Sequence, residues 1–183
     1  MKRRSERQGP SRRAAARSAG RDYCDLVPDQ KPPRLAAGDL ETLLALLQYQ
    51  RDSLVRKVAG LDDAAARRSP VDSGTSLLWL IKHMASAEIT WMLRRFAGQD
   101  VIIPDDTPQP GDTLDAAIQF YRATWERVDG VAFKAASLDE PCRRPDGPQV
   151  NLRWVLAHLL EETARHAGHA DILGELIDGR TGR

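Results

Sequence analysis

The sequence predicts an all-α fold, a bundle of four helices, and three observations carry that prediction. Apolar residues recur at alternating steps of four and three through four segments of about 20–26 residues each. No segment shows the two-residue alternation of a half-buried strand. Capping residues precede the segments, and Gly98 and Gly179 close two of them.

The first helix spans about residues 39–59, with Asp39 as its N-cap and Leu40, Leu44, Leu47, Leu54 and Val58 as its buried stripe. The second spans about residues 76–97, capped by Thr75 or Ser76, with the stripe Leu77, Leu80, Ile81, Met84 and Trp91. The third covers about residues 113–136 behind Asp112 as cap, with Leu114, Ile118, Tyr121, Trp125, Val128 and Ala132 in phase. Gly130 weakens it near its end. The fourth covers about residues 152–177. At 1.5 Å per residue these helices are each about 30–39 Å long. The connections 60–75, 98–112 and 138–151 are longer than bundle turns need, long enough to cross an end or cover a site. Trp79, Trp91, Trp125 and Trp154 lie at helical spacing and are expected in the core.

A chain of 183 residues, 42% apolar and 29% charged, has enough length for one domain with a core. It is not a collagen, a disulfide scaffold or a wholly disordered chain. The net charge of +1 conceals an asymmetry. Residues 1–22 hold eight Lys/Arg against two Asp/Glu, a net +6, which leaves −5 on residues 23–183. A mildly acidic folded part argues against a nucleic-acid binder. We therefore divide the chain into a basic N-terminal tail, residues 1–33, read as disordered, and a bundle, residues 34–180. Cys24 and Cys142 form no CxxC spacing and no disulfide framework, which fits a reducing cytoplasm. No apolar run approaches the roughly 18 residues of a spanning helix, and the N-terminus lacks the apolar centre of a secretory signal, so no membrane partner is expected.

The core pattern breaks in the fourth helix. Continued at the same spacing, its seam reads Val155, Leu159, Glu162, His166, His169, Leu173, Leu176. Each buried polar group left without a partner costs about 1–3 kcal/mol, so three consecutive polar seam positions demand partners. His83 lies at the edge of the second helix's apolar face, and Arg51 interrupts the first helix between Leu47 and Leu54. One reading is a metal site. Glu162 and His166, at i and i+4, stack on one helix face, and His83 supplies a third ligand from its neighbour. Two imidazoles and a carboxylate suit Zn2+ with an open position, and equally Fe2+. The other reading is a hydrogen-bonded cluster, with Glu162 paired to Arg51. His169, one turn beyond His166, is a candidate to support a ligand from behind, to be an alternative ligand or to contact a substrate. His158 reads as a half-exposed helix histidine, and the Arg143–Arg144 pair as a solvated turn. No P-loop, GxGxxG, GxSxG or zinc-ribbon spacing is present.

The segments SLLWLIKHMASAEITWM and NLRWVLAHLLEETARHAGHADILGELIDG resemble the DinB-like superfamily, and within it an actinobacterial branch related to mycothiol-dependent metalloenzymes. The resemblance covers about residues 34–180. It implies an up-down-down-up four-helix bundle in which the 98–112 connection crosses between parallel helices. It also implies a divalent metal, most simply Zn2+ with Ni2+ or Fe2+ as alternatives, and a homodimer. The family's ligand positions fall on His83, Glu162 and His166. Glu162 replaces the first histidine of the commonest His-x-x-x-His pattern, as in zinc-binding mycothiol-dependent isomerases. The activity implied is transfer of a low-molecular-weight thiol such as mycothiol to a small electrophile; for that activity we expect His169 to be the catalytic group, handling a proton or orienting the thiol. The alternative is a non-catalytic metal-binding homodimeric bundle with a structural or stress-related role.

Overall fold

The structure, a computed structural model, describes residues 31–179 and 181. The basic run and Cys24 lie outside the described residues. The chain enters α1, Asp39–Val58, and passes through a short α2, Asp63–Arg67. It then forms α3, Leu77–Glu88, which continues as a π-helix over Ile89–Phe96. α4, Leu114–Ala132, and α5, Leu152–Asp178, complete an up-down-down-up bundle. α1 lies along α5, while α3 packs on α4 and α5. Among the described residues no helix is long and apolar enough to cross a membrane.

The helix ends follow from which polar groups are free to cap them. Ser76 accepts from the Trp79 amide at 3.2 Å, as expected. Gly38, not Asp39, is the cap of α1. Asp39 sits inside the first turn, where a carboxylate suits the helix dipole, and binds Arg153 of α5 at 2.7 Å. Thr113, not Asp112, caps α4, because Asp112 is taken by Lys82 and the Gln109 amide. α4 also ends four residues earlier than its periodicity suggested, at Ala132. Asn151 caps α5 at 3.0 Å, and Gly179 closes it at φ 78°, a left-handed conformation that glycine adopts without strain. α2 escaped the periodicity because it buries a single side chain, Ala66.

Two apolar clusters fill the bundle. One gathers Leu54, Val58, Leu80, Met84, Tyr121 and Leu173; the other gathers Leu47, Met92, Phe96, Val128, Val155 and Leu159. Arg51 and Glu88, both fully buried, join α1 to α3 at the division between them. The guanidinium meets the carboxylate at 2.7 and 2.9 Å, and its remaining arm reaches Asp129 of α4 at 2.9 Å. Burial pushes the Glu88 carboxyl up while the Arg51 charge and hydrogen bonds pull it down. The expectation that Arg51 shares a pocket with Glu162 is therefore corrected: its charge is spent on Glu88 and Asp129.

The tryptophans and the α5 seam also differ from expectation. Trp125 is core, but Trp79 and Trp91 are half-buried and Trp154 is 43% exposed. The buried stripe of α5 runs Val155, Leu159, Thr163, His166, Ala170, Leu173, leaving His169 and Leu176 exposed. A strict 4,3 step averages 3.5 residues per turn against the helix's 3.6, so the projected seam drifts by about 20° per heptad. Over three heptads that carries the stripe off the expected residues.

Removing one partner of the buried pair strands the other charge. Glu88→Leu is expected to cost about 3–5 kcal/mol in chemical denaturation, and Arg51→Met with Glu88→Leu to recover most of that loss. A single variant as stable as the double would show that the pair does not operate as a unit.

Candidate metal centre

α3 and α5 run antiparallel, and their facing side chains line a groove. On α3 the face carries Trp79, His83, Ala87 and Trp91; on α5 it carries Trp154, His158, Glu162 and His166, each set at i,i+4 spacing. The ring contacts fix the register. Trp79 and His83 meet His166, with centroids at 6.1 and 5.0 Å, while Trp91 meets His158 and Trp154 at 4.9 and 5.1 Å. That register places Ala87, the one small side chain of the four on α3, across from Glu162.

His83 is held from two sides. Its ring stacks on Trp79 at 4.6 Å, and its Nδ1 lies 2.8 Å from Asp106 Oδ2 in the 97–113 crossover. The crossover is fastened to α3 by Ser86, which donates to the Pro104 carbonyl at 3.0 Å, and by Lys82, which donates to the Thr107 carbonyl at 2.6 Å. An imidazole bound through Nδ1 to a carboxylate presents Nε2 for ligation, an arrangement that fixes ring orientation and raises basicity. No sequence pattern marked Asp106, because a loop carboxylate has no periodicity to place it.

His166 is buried, and its Nε2 lies 3.3 Å from Glu162 Oε2. Burial, reinforced by the neighbouring His83, pushes its pKa down to about 4, so the ring is neutral at pH 7 and able to donate a lone pair. Its Nδ1 stands 3.3 Å from Nδ1 of the exposed His169. Glu162 Oε2 is buried and accepts no well-formed hydrogen bond, though Arg165 Nη1 stands 3.9 Å away as well as His166 Nε2 at 3.3 Å. A carboxylate oxygen close to a neutral imidazole nitrogen is an arrangement that two ligands of one cation also adopt. Glu162 and His166 are thus close enough to share a cation, while the ligand atoms of His83, Glu162 and His166 do not all lie within 4.8 Å of one another. The structure brings His83, Glu162, His166 and His169 into one neighbourhood and leaves Arg51 out of it.

A second donor set shares Glu162. Ligand atoms of His158, Glu161 and Glu162 lie within 4.8 Å of one another, a group that could coordinate a divalent cation. His158 Nδ1 is 3.9 Å from Glu161 Oε2, and the ring is stacked on Trp154 at 4.9 Å. Sequence reasoning passed over this set because Glu161 is an ordinary exposed helix carboxylate and His158 sits beside the seam.

The comparisons with known proteins agree with this architecture. A crystal structure of a conserved protein from Enterococcus faecalis matches with a TM-score of 0.60 at 16% identity, covering 79% of this chain and 100% of that one. At that identity the likeness is one of fold. No curated protein matches the chain at a significant level. The family described as MST, mycothiol-S-transferase, matches over residues 42–179, from the first turn of α1 to the glycine that ends α5. With the match spanning all four long helices and both faces of the α3/α5 groove, the chain belongs to the mycothiol-S-transferase family.

Proposed function

We propose that the protein is a cytoplasmic, metal-dependent S-transferase that joins a low-molecular-weight thiol, mycothiol or a close analogue, to a small electrophile. His83, Glu162 and His166 would hold the ion, Zn2+ first and Ni2+ or Fe2+ as alternatives. The observation that carries the reading is the buried, neutral His166 imidazole 3.3 Å from Glu162 Oε2 and next to the His83 ring. A divalent ion in that position supplies one thing, a lowered thiol pKa and so a greater share of thiolate nucleophile.

The chain's own groups do the remaining work. Asp106 orients His83, and the Trp79 face keeps the ring from turning. His169, exposed and in contact with His166, is placed to take the thiol proton toward solvent. The sulfur then forms its bond to the electrophilic carbon as the leaving group departs, so charge and atoms balance.

A second reading, a non-catalytic metal-binding homodimer with a structural or stress-related role, is favoured by one observation. Ile172 and Leu176, four residues apart on α5, are 59% and 55% exposed, an apolar strip suited to a second copy.

Metal content separates the two donor sets. Elemental analysis of the full-length protein is expected to find about one ion per chain, lost in His166→Ala and Glu162→Gln and retained in His158→Ala. Loss in His158→Ala with retention in His166→Ala would move the site to the other set. Asp106→Asn is expected to weaken metal affinity by about 10–100-fold in a chelator competition, the usual effect of removing a ligand's orienting partner. With metal bound, conjugation of a chlorobimane to a cellular thiol is expected, falling about 10²-fold in His169→Ala at unchanged metal content. Metal-loaded protein that conjugates no electrophile with any thiol would leave the non-catalytic reading.

A further inference from the structure

Away from the α3/α5 groove, a cavity of about 230 Å³ opens at the start of α4. An apolar cavity of about 150 Å³ already holds a benzene molecule, so this one has room for a single substituted ring. Its floor is apolar, made by Ala116 and Phe120, one turn apart on α4, with Ala117 beside them. Ala117 packs on the core cluster behind it, whereas the Phe120 ring is 44% exposed. Its rim is polar, made by Lys82 of α3 and by Asp112 and Thr113 at the end of the crossover.

The rim decides what a ligand can offer. An ammonium carries three N–H donors. Those of Lys82 meet the Thr107 carbonyl at 2.6 Å and Asp112 Oδ2 at 2.5 Å, and the third has no partner among the described residues. The side chain is only 16% exposed, so that donor faces little water. An anion is poorly served here. The Leu114 and Ala116 amides at the α4 terminus already donate to Asp63 Oδ1 and Thr113 Oγ1. The Lys82 hydrogen bond holds the Asp112 carboxyl below the usual carboxylate range, so the ammonium's charge is balanced. What remains is a flat apolar face and one hydrogen to be accepted.

We propose that this cavity binds a small, uncharged aromatic compound that carries a carbonyl oxygen. The ring lies on Ala116, Ala117 and Phe120, and the oxygen accepts the third hydrogen of Lys82. The site also reaches the crossover. Lys82 precedes His83 in α3, and Thr107 follows Asp106, so one ammonium spans the same two segments that the His83–Asp106 contact joins. A ligand that holds Lys82 in place favours the arrangement in which Asp106 meets His83, and by reciprocity that arrangement favours the ligand. The proposal does not depend on the thiol-transfer reading.

The test is a titration of the full chain with benzamide, followed through its amide resonances by NMR. Wild type is expected to show saturable shifts at Lys82 and residues 111–120, with a Kd of about 1 mM, the range open to a fragment of that size. Hydrogen exchange of the Thr107 amide is expected to slow as the site fills. Ala116→Leu fills the cavity from an exposed helix position without touching the crossover, and is expected to abolish binding with the fold intact. Lys82→Met is expected to weaken binding about tenfold, as is replacing benzamide by benzoate, which has the same shape and a negative charge. No saturable shift in wild type at the solubility limit of benzamide, or binding by Ala116→Leu equal to wild type, overturns the proposal. Benzoate binding as tightly as benzamide would overturn the assignment of an uncharged ligand. Unchanged exchange at Thr107 in the saturated protein would overturn the link to the crossover.

Discussion

Arg51 and Glu88 are both fully out of water, and the bundle is arranged so that neither charge is left alone. Their two-pronged contact ties α1 to α3, and the third arm of the guanidinium ties both to Asp129 on α4. An ion pair of this kind contributes little net stability, since desolvation cancels much of the attraction. Its influence is on register. Sliding α3 by one turn against α1 would strand a buried charge, whereas the Leu, Met and Val contacts on either side would tolerate the slide at lower cost. Because α1 also lies along α5, fixing α3 on α1 fixes α3 on α5.

That register decides what faces what in the groove. His83 meets His166, Trp91 meets His158, and the position between them pairs Ala87 with Glu162. The arrangement sets a small side chain, Ala87, between two ring-bearing positions of α3. The π-helical stretch begins at the residue after Glu88, so the helix changes pitch where the buried pair anchors it. The anchor, Ala87 and Trp91 thus lie within a few turns of α3.

The crossover from α3 to α4 carries a second task. A bundle with two parallel neighbouring helices needs a long connection along its side, and here that connection is held to α3 by Lys82, His83 and Ser86. The topology therefore brings a loop carboxylate, Asp106, to the imidazole that most needs orienting. The position of the His83 ring and the chain's connectivity are coupled through that one contact.

Much of this was legible in the residues alone. The periodicity placed four long helices, Ser76 and Gly179 marked ends, and the polar interruption Glu162–His166 with His83 singled out a candidate site, because helical repeat and burial are local properties. What sequence left open depended on competition among distant groups. Arg51 was free on paper to join Glu162 and is held by Glu88 and Asp129; Asp112 was a fitting cap until Lys82 claimed it; His169 seemed a seam residue until the drift of the repeat moved it to the surface. Asp106 had no sequence signal, since it belongs to a loop, and the contacts among Trp91, His158 and Trp154 join two helices whose register no local pattern sets. The sequence by itself determined the fold class and the four long helices, through short-range periodicity, and marked where polar residues interrupt it. Only the tertiary structure decided their partners, because a polar side chain's partner is set by which long-range contact reaches it first and leaves no other charge unpaired.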